Sequence, residues 1–156
     1  MLAYLDELSR KMEIDLHGGA YSQGSLEDAV FIPTFGSEEE LAHAAYLASL
    51  ADPSRQGKRL AQAAQLKIGP VQLPRHYDLV SASPVSDLSG VNLGQTKFRE
   101  GSFESIEKWI RKIGGHIHCQ VRKLIMQIAE QGDSAVVIAS EKMVLGVVIL
   151  KAAKHV

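Results

Sequence analysis

Two apolar runs, Ala135 to Ala139 and Met143 to Leu150, restrict the fold of this chain more than any other feature. Only Ser140-Glu141-Lys142 separates them, which is enough for a turn. Neither run alternates apolar with polar residues, as a strand with one wet face does. Nearly continuous runs of Val, Ile, Leu and Ala read instead as central strands covered on both faces. Their backbone polar groups must be paired by further strands, and their side chains must be covered by helices.

The rest of the chain supplies both. Ala29 to Thr34 reads as a strand. Ser37-Glu38-Glu39-Glu40 has the form of a capping box, with Ser37 as the cap and Glu40 reaching back. The helix it opens places Leu41, Ala44, Ala45 and Ala48 on one face, and Asp52-Pro53 stops it. A second helix is predicted from about Ser54 to Leu66, with Leu60, Ala63 and Ala64 inward. Gly69-Pro70 and Pro74 mark a loop. Tyr77 to Ala82 reads as a strand, with Pro84 at an interruption or an edge. Leu88 to Leu93 and Thr96 to Arg99 read as a hairpin around Gly94-Gln95. Ser102 caps a helix that buries Phe103, Ile106, Ile110 and Ile113 and ends at Gly114-Gly115. A last helix covers roughly Cys119 to Gln131, with Val121, Leu124, Ile125 and Ile128 inward. The order is not a βαβ series, so a doubly wound dinucleotide fold is not expected. It predicts an α+β layer architecture with a mostly antiparallel sheet and helices packed on it.

The first 28 residues are expected to form a helix and loop extension, and residues 29–156 the main domain. Leu2, Leu5, Leu8 and Met12 recur at helical spacing, which suits either a helix packed on its own domain or one docked on a partner. Glu13 to Leu16 reads as a short strand, and His17 to Gly24 as a loop. Gly18-Gly19 is not followed by the Gly-Lys-Ser/Thr of a phosphate loop.

Composition narrows the chemistry. A net charge of −1 on 156 residues, with Lys and Arg scattered, gives no footprint for nucleic acid. The apolar runs are too short to span a bilayer. The N-terminus lacks the pattern of a secretory signal. A single cysteine, Cys119, forbids an internal disulfide framework and suits a reducing compartment, so the cytoplasm is the expected location. His116, His118 and Cys119 place three ligand-type side chains in four residues, but zinc needs more ligands in separated pairs. The simpler reading is a polar helix start with His118 or Cys119 near the cap. Glu38, Glu39 and Glu40 complement a helix dipole and are not an acid–base pair. No catalytic residue and no metal ligand is assigned.

One stretch, Leu79 to Ser102, has the form of a nucleotide cradle. Two extended segments lead to Gly101-Ser102 at the mouth of a helix, where unpaired N–H groups can seat an anion. Around it lie Phe31-Ile32-Pro33, Ala45 to Asp52, Ser89-Gly90-Val91-Asn92, Arg99-Glu100-Gly101-Ser102, Gly114-Gly115-His116 and Val144-Leu145-Gly146-Val147. In order and spacing these segments resemble the nucleotide-binding (N) domain of the Kdp-type potassium-transporting P-type ATPase across residues 29 to 151. The resemblance implies a six- or seven-stranded antiparallel sheet flanked by helix pairs. It also implies an ATP pocket, of which Asp52, Ser89, Gly101 and Ser102 are the residues retained.

The same resemblance shows what has been replaced. The adenine-stacking Phe of the family falls at Ala82, the lysine beside the phosphates at Glu100, a pocket Glu at Gln56 and a nearby Arg at Asp87. Losing base stacking costs about 1–3 kcal/mol, and Glu for Lys beside phosphates exchanges attraction for repulsion. The family's phosphorylation motif has no counterpart in Asp15-Leu16-His17-Gly18-Gly19. The expectation is a stand-alone, non-enzymatic relative of the N domain with a degenerate ATP pocket. It would need no cofactor and would serve as an interaction or accessory component of a larger assembly. A protein partner is expected, in an assembly that can be membrane-associated, without direct membrane insertion. The alternative is a nucleotide-binding protein with weak ATP affinity or an altered ligand, in which Tyr77 or Phe98 replaces the missing ring.

Overall fold

The computed structural model describes residues 29–141 and 143–151, so the extension expected over residues 1–28 lies outside the described residues. The two apolar runs are the strands β5 (Ser134–Ser140) and β6 (Met143–Leu150), paired antiparallel inside the sheet. β1 (Ala29–Pro33) pairs with the far side of β6. On the other side stand β4 (Thr96–Gly101), β3 (Ser89–Leu93) and the short edge strand β2 (Asp78–Val80). The order is β1-β6-β5-β4-β3-β2, six strands with every neighbouring pair antiparallel.

Four helices cover the sheet among the described residues: α1 (Glu38–Ser49), α2 (Arg55–Ile68), α3 (Phe103–Lys112) and α4 (Cys119–Glu130). They pack as two pairs on opposite faces. Under α1 and α2, Leu41, Ala45, Leu60 and Ala64 close on Phe31, Val136, Ile138 and Val148. Under α3 and α4, Ile106, Ile110, Leu124 and Ile128 close on Val137, Val147, Ile149 and Ile32. Alternate residues of β5 and β6 therefore enter different cores, which is why neither strand has a polar face. The alanines of α1 let its backbone lie close to the strands. At Gly146 an added Cβ would lie 2.6 Å from both the Ile32 carbonyl oxygen and a Leu41 methyl carbon.

The helix starts follow their sequence signals. Ser37, Ser54 and Ser102 accept hydrogen bonds from the backbone N–H of Glu40, Gly57 and Ser105, and His118 Nδ1 accepts from Gln120 N–H. The Ser37 hydroxyl in turn faces Glu40 Oε1 at 3.3 Å. An ion pair of 3.2 Å between Lys67 and Glu38 ties the end of α2 to the start of α1.

Three boundaries differ from expectation. The strand expected over Tyr77 to Ala82 is confined to Asp78–Val80, because the chain then bends so that the Ser83 and Ser86 backbones bond each other around Pro84. β4 runs on to Gly101, so Glu100 and Gly101 are strand residues paired with β5 and not part of a loop before a helix. Ile113 ends α3 as its C-terminal cap and is only half-buried.

Candidate functional site

β4 is the element that builds the site. Its alternation sends Phe98 and Glu100 to the α1–α2 side of the sheet, and Arg99 to the other. Arg99 is buried, lies with its guanidinium 5.2 Å from the Trp109 ring centroid, and donates to the Phe98 and Val91 carbonyls. Glu100 is only 1% exposed. Across the strand pair it stands opposite Ser89, which is fully buried and donates its hydroxyl to Glu100 Oε1 at 2.7 Å. Gly90, next to Ser89 and opposite Arg99, has no room for a side chain: an added Cβ would lie 1.9 Å from the Phe98 carbonyl oxygen.

Asp52 reaches Glu100 from the turn between α1 and α2. The two carboxyls share a hydrogen bond. Asp52 Oδ1 also accepts from Ser54 N–H at 2.9 Å. Gly57, in the first turn of α2, packs so closely that an added Cβ would lie 2.4 Å from the Asp52 carbonyl oxygen. Burial pushes the Glu100 carboxyl up to about 8, aided by the Asp52 hydrogen bond and the charges of Asp52 and Asp87, with the Ser89 hydroxyl opposing. Burial works to raise Asp52 as well, but hydrogen bonds from Glu100 and Ser54 outweigh it and hold Asp52 below its ordinary value. At neutral pH the pair therefore holds one proton, carried by Glu100 and offered to Asp52.

A second carboxylate fills the helix mouth. Asp87, in the loop before β3, accepts from Ser102 N–H at 3.2 and 3.3 Å and from the Ser102 hydroxyl at 3.2 Å. The anion seat expected at Gly101-Ser102 is thus occupied by the chain's own side chain, complementing the α3 dipole. At Gly101 an added Cβ would lie 3.1 Å from Asp87 Oδ1.

The four retained positions do not converge on one open pocket. Asp52 and Ala82 line a cleft of about 590 Å³ between the α1–α2 turn and the chain around β2, with Leu50, Pro53 and Leu79. Ser89 lies buried against Glu100, and Ser102 faces Asp87. Gln56 is exposed and does not line the cleft. Glu100 does not present an open negative charge, as its position beside the retained residues suggested; it is a buried acid. Phe98 lines a different groove, of about 890 Å³, at the other end of α1 with Phe35, His43 and Lys67. It lies away from the cleft that Ala82 lines. Tyr77 is partly exposed beside β2.

The features missed in the sequence are the Asp52–Glu100 pair and the Asp87 cap. Glu100 had a usable signal, since it lies two residues from Phe98 on one strand face, and acids on an inward face need a partner. Asp87 had none, being 15 residues from the helix start it caps. At the other candidate, Cys119 is exposed, with its sulfur 4.0 Å from His118 Nδ1. Among the described residues no three His, Cys, Asp or Glu side chains lie close enough to hold a metal ion.

No protein-family profile matches the sequence. Solved structures do match the fold. A zinc-transporting PIB-type ATPase in its E2·Pi state superposes with a TM-score of 0.60 at 16% identity, over 80% of this chain and 19% of that one. The N-domain of HMA8, a copper-transporting P-type ATPase, superposes with a TM-score of 0.54 at 12% identity, over 74% of this chain and 92% of that one. The fold is that of a P-type ATPase N-domain, as an α+β structure with a six-stranded antiparallel sheet and helix pairs. This chain corresponds to about a fifth of the length of the zinc transporter. No described helix is long and apolar enough to cross a membrane.

Proposed function

We propose that this chain is a non-catalytic relative of the Kdp-type N domain, with its ATP pocket replaced, acting as an interaction or accessory component of a larger assembly. One observation carries the reading. The polar groups at the retained positions Asp52, Ser89 and Ser102 are engaged by this chain's own acids, Glu100 and Asp87. A nucleotide entering there would have to displace the Asp87 carboxylate from the α3 start, and would find a buried acid, Glu100, where the resemblance places a lysine. Ala82 offers no ring for a base. Family-like ATP affinity should fall by about a hundredfold or more, since each 1.4 kcal/mol lost is about tenfold. The protein partner, the membrane-associated assembly and the cytoplasmic location belong to this reading.

Calorimetric titration with Mg·ATP to millimolar concentration is the direct test, with no saturable heat expected. An NMR titration gives the residue-level counterpart. Saturable amide shifts clustered at Ser89, Gly101 and Ser102 would overturn the proposal and favour a modified nucleotide site.

A further inference from the structure

The Asp52–Glu100 pair joins the α1–α2 turn to the sheet. Asp52 sits at the apex of the α1–α2 turn, and Glu100 and Ser89 sit on paired strands in the sheet below it. The cleft between that turn and β2 lies on the outer side of Asp52, lined by Pro53, Leu79 and Ala82. Gly57 packs on the Asp52 backbone, so a displacement of Asp52 is passed to the first turn of α2. We propose that the shared proton of Asp52 and Glu100 is a latch, closing the α1–α2 turn on β3 and β4 and opening the adjacent cleft when it is lost.

The groups facing Glu100 support this from each side. The turn presents Asp52 and the loop before β3 presents Asp87, both acidic. β3 presents the Ser89 hydroxyl, and β5 places Ile138 opposite Glu100. The nearest cation in sequence, Arg99, is on the far face of the sheet against Trp109. When Glu100 loses its proton, its hydrogen bond to Asp52 is gone, and a buried carboxylate faces the half-buried one of Asp52 with Asp87 nearby. The least costly relief is for the Asp52 turn to lift, because Pro53, Ser54, Arg55 and Gln56 are already exposed while Glu100 is fixed in a strand. Glu100, displaced toward 8 by burial and acidic neighbours, titrates near neutrality and not in acid.

The test compares hydrogen exchange of amides 50–57 at pH 6 and pH 9, corrected for the intrinsic pH dependence of exchange, in the wild type and in Glu100→Gln. The wild type should lose protection there by at least about tenfold, while α4 amides are unchanged relative to global stability. Glu100→Gln keeps a donor toward Asp52 at every pH and should hold its protection at both. Equal wild-type protection at the two pH values, or an equal loss in the variant, would refute the latch. Should the variant not fold, the ¹³C shift of the wild-type Glu100 carboxyl decides alone. A midpoint near neutrality or above supports the proposal, and one in the ordinary glutamate range overturns it.

Discussion

A single buried acid gives this protein a pH dependence opposite to that of most carboxylates. Glu100 is raised in the folded state from an ordinary 4.5 to about 8, so between those values the native protein holds a proton the unfolded chain has released. Its contribution to stability is therefore full below about 4.5 and is lost as pH rises toward 8, by at most about 1.4 kcal/mol per pH unit. Asp52, lowered in the native state, acts the other way, and its contribution disappears only as the solution becomes strongly acidic. Glu100→Gln should flatten the Glu100 slope. Its amide can donate to Asp52, and its oxygen can accept from Ser89, without a titrating proton. Urea denaturation at pH 5, 6.5 and 8.5 checks this: the variant should gain on the wild type steadily with pH and exceed it at 8.5. Parallel stability curves would mean that Glu100 is ionised or solvated in the native protein. In the sequence Glu100 is legible as an acid where the resemblance places a lysine, but its protonation state is not. The difference is burial, which depends on the α1–α2 turn coming down over β4.

Among the elements, local signals were legible in the sequence and long-range ones were not. The serine caps, the hairpin at Gly94 and the apolar faces of α1, α2, α3 and α4 are encoded within a few residues. The limits of β2 and β4 are not, because a strand ends where its neighbour stops pairing. The Asp87 contribution to α3 is of this second kind, a cap delivered from another element. Ser102→Ala should cost about 1 kcal/mol as a lost N-cap, and Asp87→Ala about 0.3–1 kcal/mol as a lost charge at a helix N-terminus. Since Asp87 touches both the backbone N–H and the hydroxyl of Ser102, their effects should not add. A double-mutant cycle at pH 6 should give a coupling of about 0.5 kcal/mol or more. Strict additivity would show that Asp87 acts only through the helix dipole. Measuring at pH 6 matters, because removing the Asp87 charge also relieves Glu100, a gain that grows as Glu100 ionises.

For the molecule as a whole, the arrangement of side chains on β5 and β6 decides how it unfolds. Val136, Ile138 and Val148 serve the core beneath α1 and α2, while Val137, Val147 and Ile149 serve the cores beneath α3 and α4. Neither helical layer can leave without exposing one face of the same strands to water. Strands that are apolar on both faces are not stable with one face bare, so the two layers should form one cooperative unit. Leu60 and Ile110, each fully buried on opposite sides of the sheet, test this. Leu60→Ala and Ile110→Ala should each cost about 2–5 kcal/mol through lost burial and the cavity left behind. Both should shift a single denaturant transition to lower midpoint without changing its slope, and probes placed in either layer should report the same midpoint. Two separated transitions, or a variant that loosens only its own layer, would mean that the sheet survives with one face uncovered. The latch at Asp52 makes a smaller demand, since it opens a turn at the rim of one layer and leaves Leu60, Ala63 and Ala64 seated. Its opening should therefore be seen as local exchange beneath a global transition that stays single, even as rising pH lowers its midpoint.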